Sequence, residues 1–137
     1  MSNGSEGKVR IDSESDIVNV RKTVRDITTE WEFSFTDVTR IVTAASELAR
    51  NVFHYAGSGN MIWQRIENFD MIGIELTFAD QGPGIADVEQ AMEIGYTSGK
   101  GLGLGLPGAK KLMGEMEINS EIGKGTTVKV RKWKKRR

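Results

Sequence analysis

The sequence contains no cysteine, which removes disulfides, thiolate catalysis and cysteine-based zinc sites in one step. Charge of neither sign prevails: 19 basic and 19 acidic side chains cancel, so no overall field favours nucleic acid or a membrane surface. No apolar run approaches the roughly 18 residues needed to span a bilayer. The first seven residues are rich in Ser, Gly and Asn, without the apolar stretch of a signal peptide. The expectation is a cytoplasmic protein with no nucleic-acid partner and no membrane insertion.

What is present suits one soluble domain. The chain has 137 residues, 38% hydrophobic and 28% charged, enough to bury about two-thirds of its unfolded surface. Glycine is the one excess, with 16 against two prolines. Nine of the 16 fall within residues 82–114, so the excess is local and asks for a cause.

No internal repeat is visible. Residues 9–11 read as a short strand. Ser13 and Asp16 match a capping box, followed by Ile17, Val20, Val24, Ile27 and Trp31 at helical spacing. Ser34 or Thr36 opens a second helix whose apolar face is Val38, Ile41, Val42, Ala45, Leu48, Ala49 and Val52. Gly57 and Gly59 end it. Residues 60–67 and 71–79 read as a hairpin around Asn68, Phe69 and Asp70. A short helix is expected over 87–94 and a loop over 95–105. Pro107 suits the first turn of a helix reaching Met113, with Gly114 as its stop. Residues 116–120 and 126–133 form a last hairpin. The expected fold is α+β, a two-layer sandwich with helices covering one face of a mainly antiparallel sheet. Residues 1–8 are expected to be a flexible start, 9–133 the domain and 134–137 a basic tail.

Three stretches carry chemistry. Glu47 and Asn51, four residues apart on the second helix, share a face turned away from the apolar stripe. A carboxylate beside a carboxamide offers a hydrogen-bond acceptor and a neutral metal ligand, although alone the pair also describes a solvated polar face. Asp80-Gln81-Gly82-Pro83-Gly84 follows an apolar strand. Its Asp can accept from a ring amine, while the same run also describes an ordinary tight turn. Gly101-Leu102-Gly103-Leu104-Gly105 precedes a helix, and bare amides there can cradle phosphate oxygens.

Other phosphate motifs fail. Gly103, Gly105 and Gly108 spell G-x-G-x-x-G, but they follow a loop and not the first strand of a βαβ unit. Lys100 is followed by Gly101 where a P-loop needs Ser or Thr. The H-R-D and D-F-G runs of the large protein kinases are missing.

The order of helical Glu-x-x-x-Asn, strand then Asp-x-Gly-x-Gly, Gly-x-Gly-x-Gly before a helix, and Gly123-Lys124-Gly125-Thr126 resembles the GHKL ATPase/kinase superfamily, whose members share the Bergerat ATP-binding fold. Within it, Glu47-Leu48-Ala49-Arg50-Asn51, Tyr55-Ala56-Gly57, Asp80 to Ile85 and Gly103-Leu104-Gly105-Leu106-Pro107-Gly108 resemble the bacterial serine kinases of the RsbT type. The resemblance implies ATP and Mg²⁺ as cofactors, with Asn51 as the metal ligand and Glu47 as general base. It implies that Asp80 holds the adenine amino group and that Gly84 lets the ring approach the backbone. Gly101, Gly103 and Gly105 would wrap the phosphates, with residues 85–100 as a lid and Thr126 completing the adenine end. Gly82, Ile85, Lys100, Leu102 and Leu104 join the nucleotide contacts on the same ground.

By the same resemblance the activity is transfer of phosphate to serine or threonine. The substrate would be a STAS-domain protein of the RsbS type within an RsbR-type complex, and the freed kinase would activate an RsbU-type phosphatase. The lone histidine, His54, ends the second helix without the helix pair that a histidine kinase needs. The larger relatives carry further domains that this length does not hold. Two alternatives stay open: an anti-sigma factor with kinase activity, and a non-catalytic module whose nucleotide only orders the lid. The six cations among residues 131–137 read as a solvated tail, or as a device steering acidic partners.

Overall fold

Alternation along the strands decides how this chain folds. A computed structural model describes residues 5–85, 92 and 105–136. Its elements run β1 (Glu6–Ile11), α1 (Glu14–Glu30), α2 (Phe35–Ala56), β2 (Gly59–Glu67), β3 (Met71–Asp80), α3 (Gly105–Met113), β4 (Glu115–Glu121) and β5 (Gly125–Lys135). The strands form one five-stranded sheet in the order β1-β2-β3-β5-β4, every neighbouring pair antiparallel. The described helices lie on one face, with α2 packed between α1 and α3. This is the two-layer α+β sandwich that the pattern predicts. Of the helix expected over 87–94 only residue 92 is described, and of the loop expected over 95–105 only Gly105, which instead begins α3.

Because opposed residues in an antiparallel sheet share a face, the inner face reads as rows crossing the strands. Val9, Met61, Phe78, Val128 and Ile118 make one row, and Gly7, Trp63, Leu76, Val130 and Met116 the next. Phe78, Leu76, Met61 and Val130 are fully buried, each stabilising the fold by about 1.5–3 kcal/mol. They meet Val20, Val24, Ile41, Ala45, Leu48 and Ala49 from the helices, all buried as their spacing requires. The outer face is polar. There Arg131 donates to Glu75 at 2.7 Å and to Glu117 at 2.9 Å. The Glu75 bond, with Glu117 after it, raises the guanidinium's already high pKa further.

The helix starts differ in how they are capped. Ser34, and not Thr36, caps α2, its hydroxyl accepting from the Asp37 N–H at 3.1 Å. Ser13 stands at the N-cap of α1 but makes no side-chain capping bond. Instead Asp16 reaches one residue further back and accepts from the Asp12 N–H at 2.9 Å, a bond that holds its carboxyl below the usual range. The reciprocal box expected at Ser13 is therefore replaced by a single bond to the residue before it.

Both expected ends of the domain need correction. Within the start expected to be flexible, residues 1–8, Glu6, Gly7 and Lys8 belong to β1. Gly7 gives no alternation signal, yet its inner side lies under the Trp63 ring, where a Cβ would come within 2.5 Å. The basic tail assigned to 134–137 is partly strand, because β5 continues to Lys135. Lys132 donates to Leu112 O at 3.0 Å and Lys134 to Trp31 O at 3.3 Å. Arg136 donates to Phe69 O at 3.2 Å and to Glu67 and Asn68 O at 2.8 Å. Those bonds anchor a segment whose charge alone suggested solvation.

Candidate active site

A third row crosses the inner face at the open end of the sheet. Ile11, Gly59, Asp80, Thr126 and Ser120 stand in register. Its last three members are polar, where the rows beneath are apolar. Asp80 ends β3, and its Oδ1 accepts from the Gly82 N–H at 2.9 Å and the Thr126 N–H at 3.3 Å. These two donors fix the plane of the carboxylate. Among the described residues neither recorded bond falls on Oδ2, which remains an acceptor for an incoming N–H.

The turn after Asp80 is welded to the β4–β5 hairpin by close backbone approach. Gly84 has φ 81° and a Cβ there would meet Glu121 O, while Gly125 has φ 112° and a Cβ there would meet Asp80 O. Any side chain at either position is excluded by space and by the left-handed conformation. The Gly123 N–H donates to Pro83 O at 2.9 Å, and the Ile85 N–H donates to Ser120 Oγ at 2.7 Å. The D-x-G-P-G run is thus both a tight turn and a shelf beside Asp80.

The other half of the site comes from α2. Asn51 is half-buried, and its Nδ2 would lie 3.9 Å from a Cβ built on Gly105 at the start of α3. The helix carboxamide therefore lies near the last residue of the glycine-rich run. One turn earlier, Glu47 accepts at Oε1 from Arg50 Nη1 at 2.6 Å, leaving its second oxygen outside that ion pair. Lys100, Gly101, Leu102, Gly103 and Leu104 lie outside the described residues.

The donor set fits a nucleotide carried with a hard divalent cation. Asp80 offers an acceptor that an amine could use. Asn51 supplies one neutral oxygen, and Mg²⁺ characteristically takes few protein ligands because phosphates and waters complete its shell. Among the described residues no group of three His, Cys, Asp or Glu could hold a metal unaided. ATP with Mg²⁺ is the group these residues would serve, with Asp80 at the base and Asn51 toward the metal.

Two contributors escape a reading of motifs. Arg50 lies inside the helical motif, and its spacing from Glu47 is the i, i+3 of a helix ion pair. Ser120 continues the alternation of Met116 and Ile118 on β4, and extending that alternation by one step would have brought it to the inner face beside Thr126.

Known proteins resemble this chain in sequence and in fold. A family model described as "Histidine kinase-, DNA gyrase B-, and HSP90-like ATPase" matches residues 36–136. The chain is 44% identical over 125 residues to the serine/threonine-protein kinase RsbT of Bacillus subtilis (strain 168), covering 91% of this chain and 94% of that protein. It is 30% identical over 119 residues to the anti-sigma F factor of Geobacillus sp. (strain WCH70), covering 82% of this chain and 81% of that protein. Among solved structures, the mycobacterial sensor histidine kinase MprB shares the fold, with a TM-score of 0.54 at 16% identity over 92% of this chain and 95% of that one.

Proposed function

We propose that this chain, which belongs to the histidine kinase-, DNA gyrase B- and HSP90-like ATPase family, is an ATP- and Mg²⁺-dependent serine/threonine protein kinase acting as an RsbT-like switch. The observation that carries this reading is the meeting of Asn51 with Gly105, one helical turn from Glu47. Similarity to RsbT along nearly the whole of both chains supports the kinase class.

ATP with Mg²⁺ supplies the transferable phosphoryl group. Asp80 accepts from the base amine through Oδ2, and Asn51 offers its carboxamide oxygen to the metal. Gly105 would present backbone to the phosphates. Glu47 would take the proton of the acceptor hydroxyl through the oxygen that Arg50 leaves, as that hydroxyl bonds to the γ-phosphorus and the bond to the β,γ-bridging oxygen breaks, releasing ADP. Phosphoryl transfer depends chiefly on positioning and charge neutralisation, and a single carboxylate is sufficient base.

The acceptor in this reading is a STAS-domain protein of the RsbS type held in an RsbR-type assembly. Release from it would free the kinase to activate an RsbU-type phosphatase in stress signalling in the cytoplasm. No described helix is long and apolar enough to cross a membrane.

The test is transfer of labelled γ-phosphate to candidate STAS proteins by wild type and Glu47→Gln. The variant should keep its Mg-ATP affinity and lose about 10²- to 10⁴-fold in transfer rate. Equal transfer by the two proteins refutes Glu47 as the base. Absence of transfer by both, with a verified acceptor, favours the non-catalytic module. The anti-sigma F relatives motivate one rival, an anti-sigma factor with kinase activity. Copurification with a sigma factor and no STAS partner would select it.

A further inference from the structure

We propose that Ser120 is a positioning residue for base recognition, setting the hydrogen-bond polarity of Thr126 beside Asp80. The inference rests on the reading of Asp80 as the acceptor for a base amine. Ser120 and Thr126 are cross-strand partners in the polar row that contains Asp80.

Three groups meet at the Ser120 hydroxyl. The Ile85 N–H donates to Oγ at 2.7 Å, Thr126 Oγ1 lies at 2.9 Å, and Gly125 O accepts from it at 3.2 Å. A serine hydroxyl has one proton and two lone pairs. The Ile85 amide occupies one lone pair, since a backbone N–H can only donate. With the Ser120 proton on Gly125 O, the second lone pair is open only to the Thr126 proton. Thr126 Oγ1 then has acceptor capacity alone to offer a ligand. The Thr126 N–H is already committed to Asp80 Oδ1 at 3.3 Å.

In this arrangement Asp80 Oδ2 and Thr126 Oγ1, on cross-strand partners, would each offer a ligand acceptor capacity alone. A 6-amino purine brings the two N–H donors of its amine to such a pair. A 6-oxo purine seated in the same orientation brings an oxygen there and is repelled. Asp80 alone supplies much of this preference, and Ser120 extends it by denying Thr126 the freedom to turn its proton toward the ligand. The same hydroxyl also ties the shelf at Ile85 to β4, so one side chain sets both the position and the polarity of this end of the site.

The experiment measures Mg-ATP and Mg-GTP binding by calorimetry, and kcat and KM for both nucleotides, in wild type, Ser120→Ala and Ser120→Thr. Ser120→Ala should weaken ATP binding about tenfold and weaken GTP less, narrowing the preference for ATP about fivefold. Its kcat at saturating ATP should stay within about twofold of wild type. Ser120→Thr, which keeps the hydroxyl, should restore the preference. An unchanged ATP-to-GTP ratio in Ser120→Ala overturns the proposal, as does equal weakening of both nucleotides, which is what a merely structural serine would give. Wild type that binds neither nucleotide overturns the Asp80 reading and this inference with it. A wild type that prefers ATP, with the preference intact in the variant, overturns the role of Ser120 alone. Should Ser120→Ala fail to fold, Ser120→Cys, a much weaker hydrogen-bonding group of similar size, carries the same comparison.

Discussion

The two ends of β3 and β5 are built from the same strands and used in opposite ways. At one end Asp80 and Thr126 are held by backbone amides, while an oxygen of Asp80 is left without a recorded bond among the described residues. At the other end the polar groups are consumed by the fold. Lys132 is bound to the last turn of α3, Lys134 to the residue that ends α1, and Arg136 to the β2–β3 turn. No residue in the last turn of α1 is basic, so Lys134 supplies from β5 the positive charge that a helix C-terminus favours. The lesson is that a polar cluster becomes a site when its geometry is fixed from behind and its front is left free. Where every donor already has its acceptor, the cluster is mortar.

This division can be broken experimentally. The largest expected effect is at the free end. Asp80→Asn keeps an oxygen for the Gly82 and Thr126 amides but turns an amide donor toward the ligand amine. ATP affinity should fall by about 100-fold, while the unfolding midpoint stays close to wild type. Calorimetry beside a denaturation curve reads both. Unchanged affinity would remove Asp80 from base recognition.

A smaller effect of the opposite kind is expected at the consumed end. Lys134→Met keeps the apolar stem against Phe33, whose ring lies 5.7 Å from the ammonium, and deletes the charge. Stability should drop by about 1 kcal/mol with ATP affinity unchanged. A comparable loss of nucleotide affinity would show that the two ends are not separate.

The smallest effect concerns acid. The bond from Arg136 holds the Glu67 carboxyl below its ordinary value of 4.5. A depressed carboxylate contributes stability above its unfolded pKa and loses it as pH falls through the folded value. Arg136→Gln should therefore lower stability slightly at neutrality and flatten the acid limb below about pH 4.5, where the two proteins converge. An acid limb identical to wild type would deny the pairing.

Much of this was legible in the sequence because burial imposes period. The α2 face from Val38 to Val52 and the alternation of Ile72, Ile74, Leu76 and Phe78 are what a two-layer core demands of a helix and a strand. The motif residues of the site were also readable, since Asp80, Gly84, Gly105 and Thr126 flank regular elements. What stayed hidden depends on contacts distant in sequence. Gly7 carries no side chain to reveal β1, and only Trp63 lying across it explains its burial. Lys132 and Lys134 look like the start of a solvated run. They continue the alternation of Val128 and Val130, but the carbonyls that accept from them belong to helices 20 and 103 residues away. Ser120 is ordinary until its three neighbours arrive together.

Alignment of β5 against β3 has a consequence for how the chain tolerates change. Strand pairing can slip by two residues without turning any side chain to the wrong face, and such a slip would set Val128 opposite Asp80 in place of Thr126. Lysines bolted to two helix ends forbid that displacement, since each would be dragged off its carbonyl. They stand about 20–27 Å from Asp80 at roughly 3.3 Å per residue. Insertions or deletions of even length within β5 should therefore erase nucleotide recognition while sparing the apolar layer, and the far lysines serve as the index stop that keeps the strand in its slot.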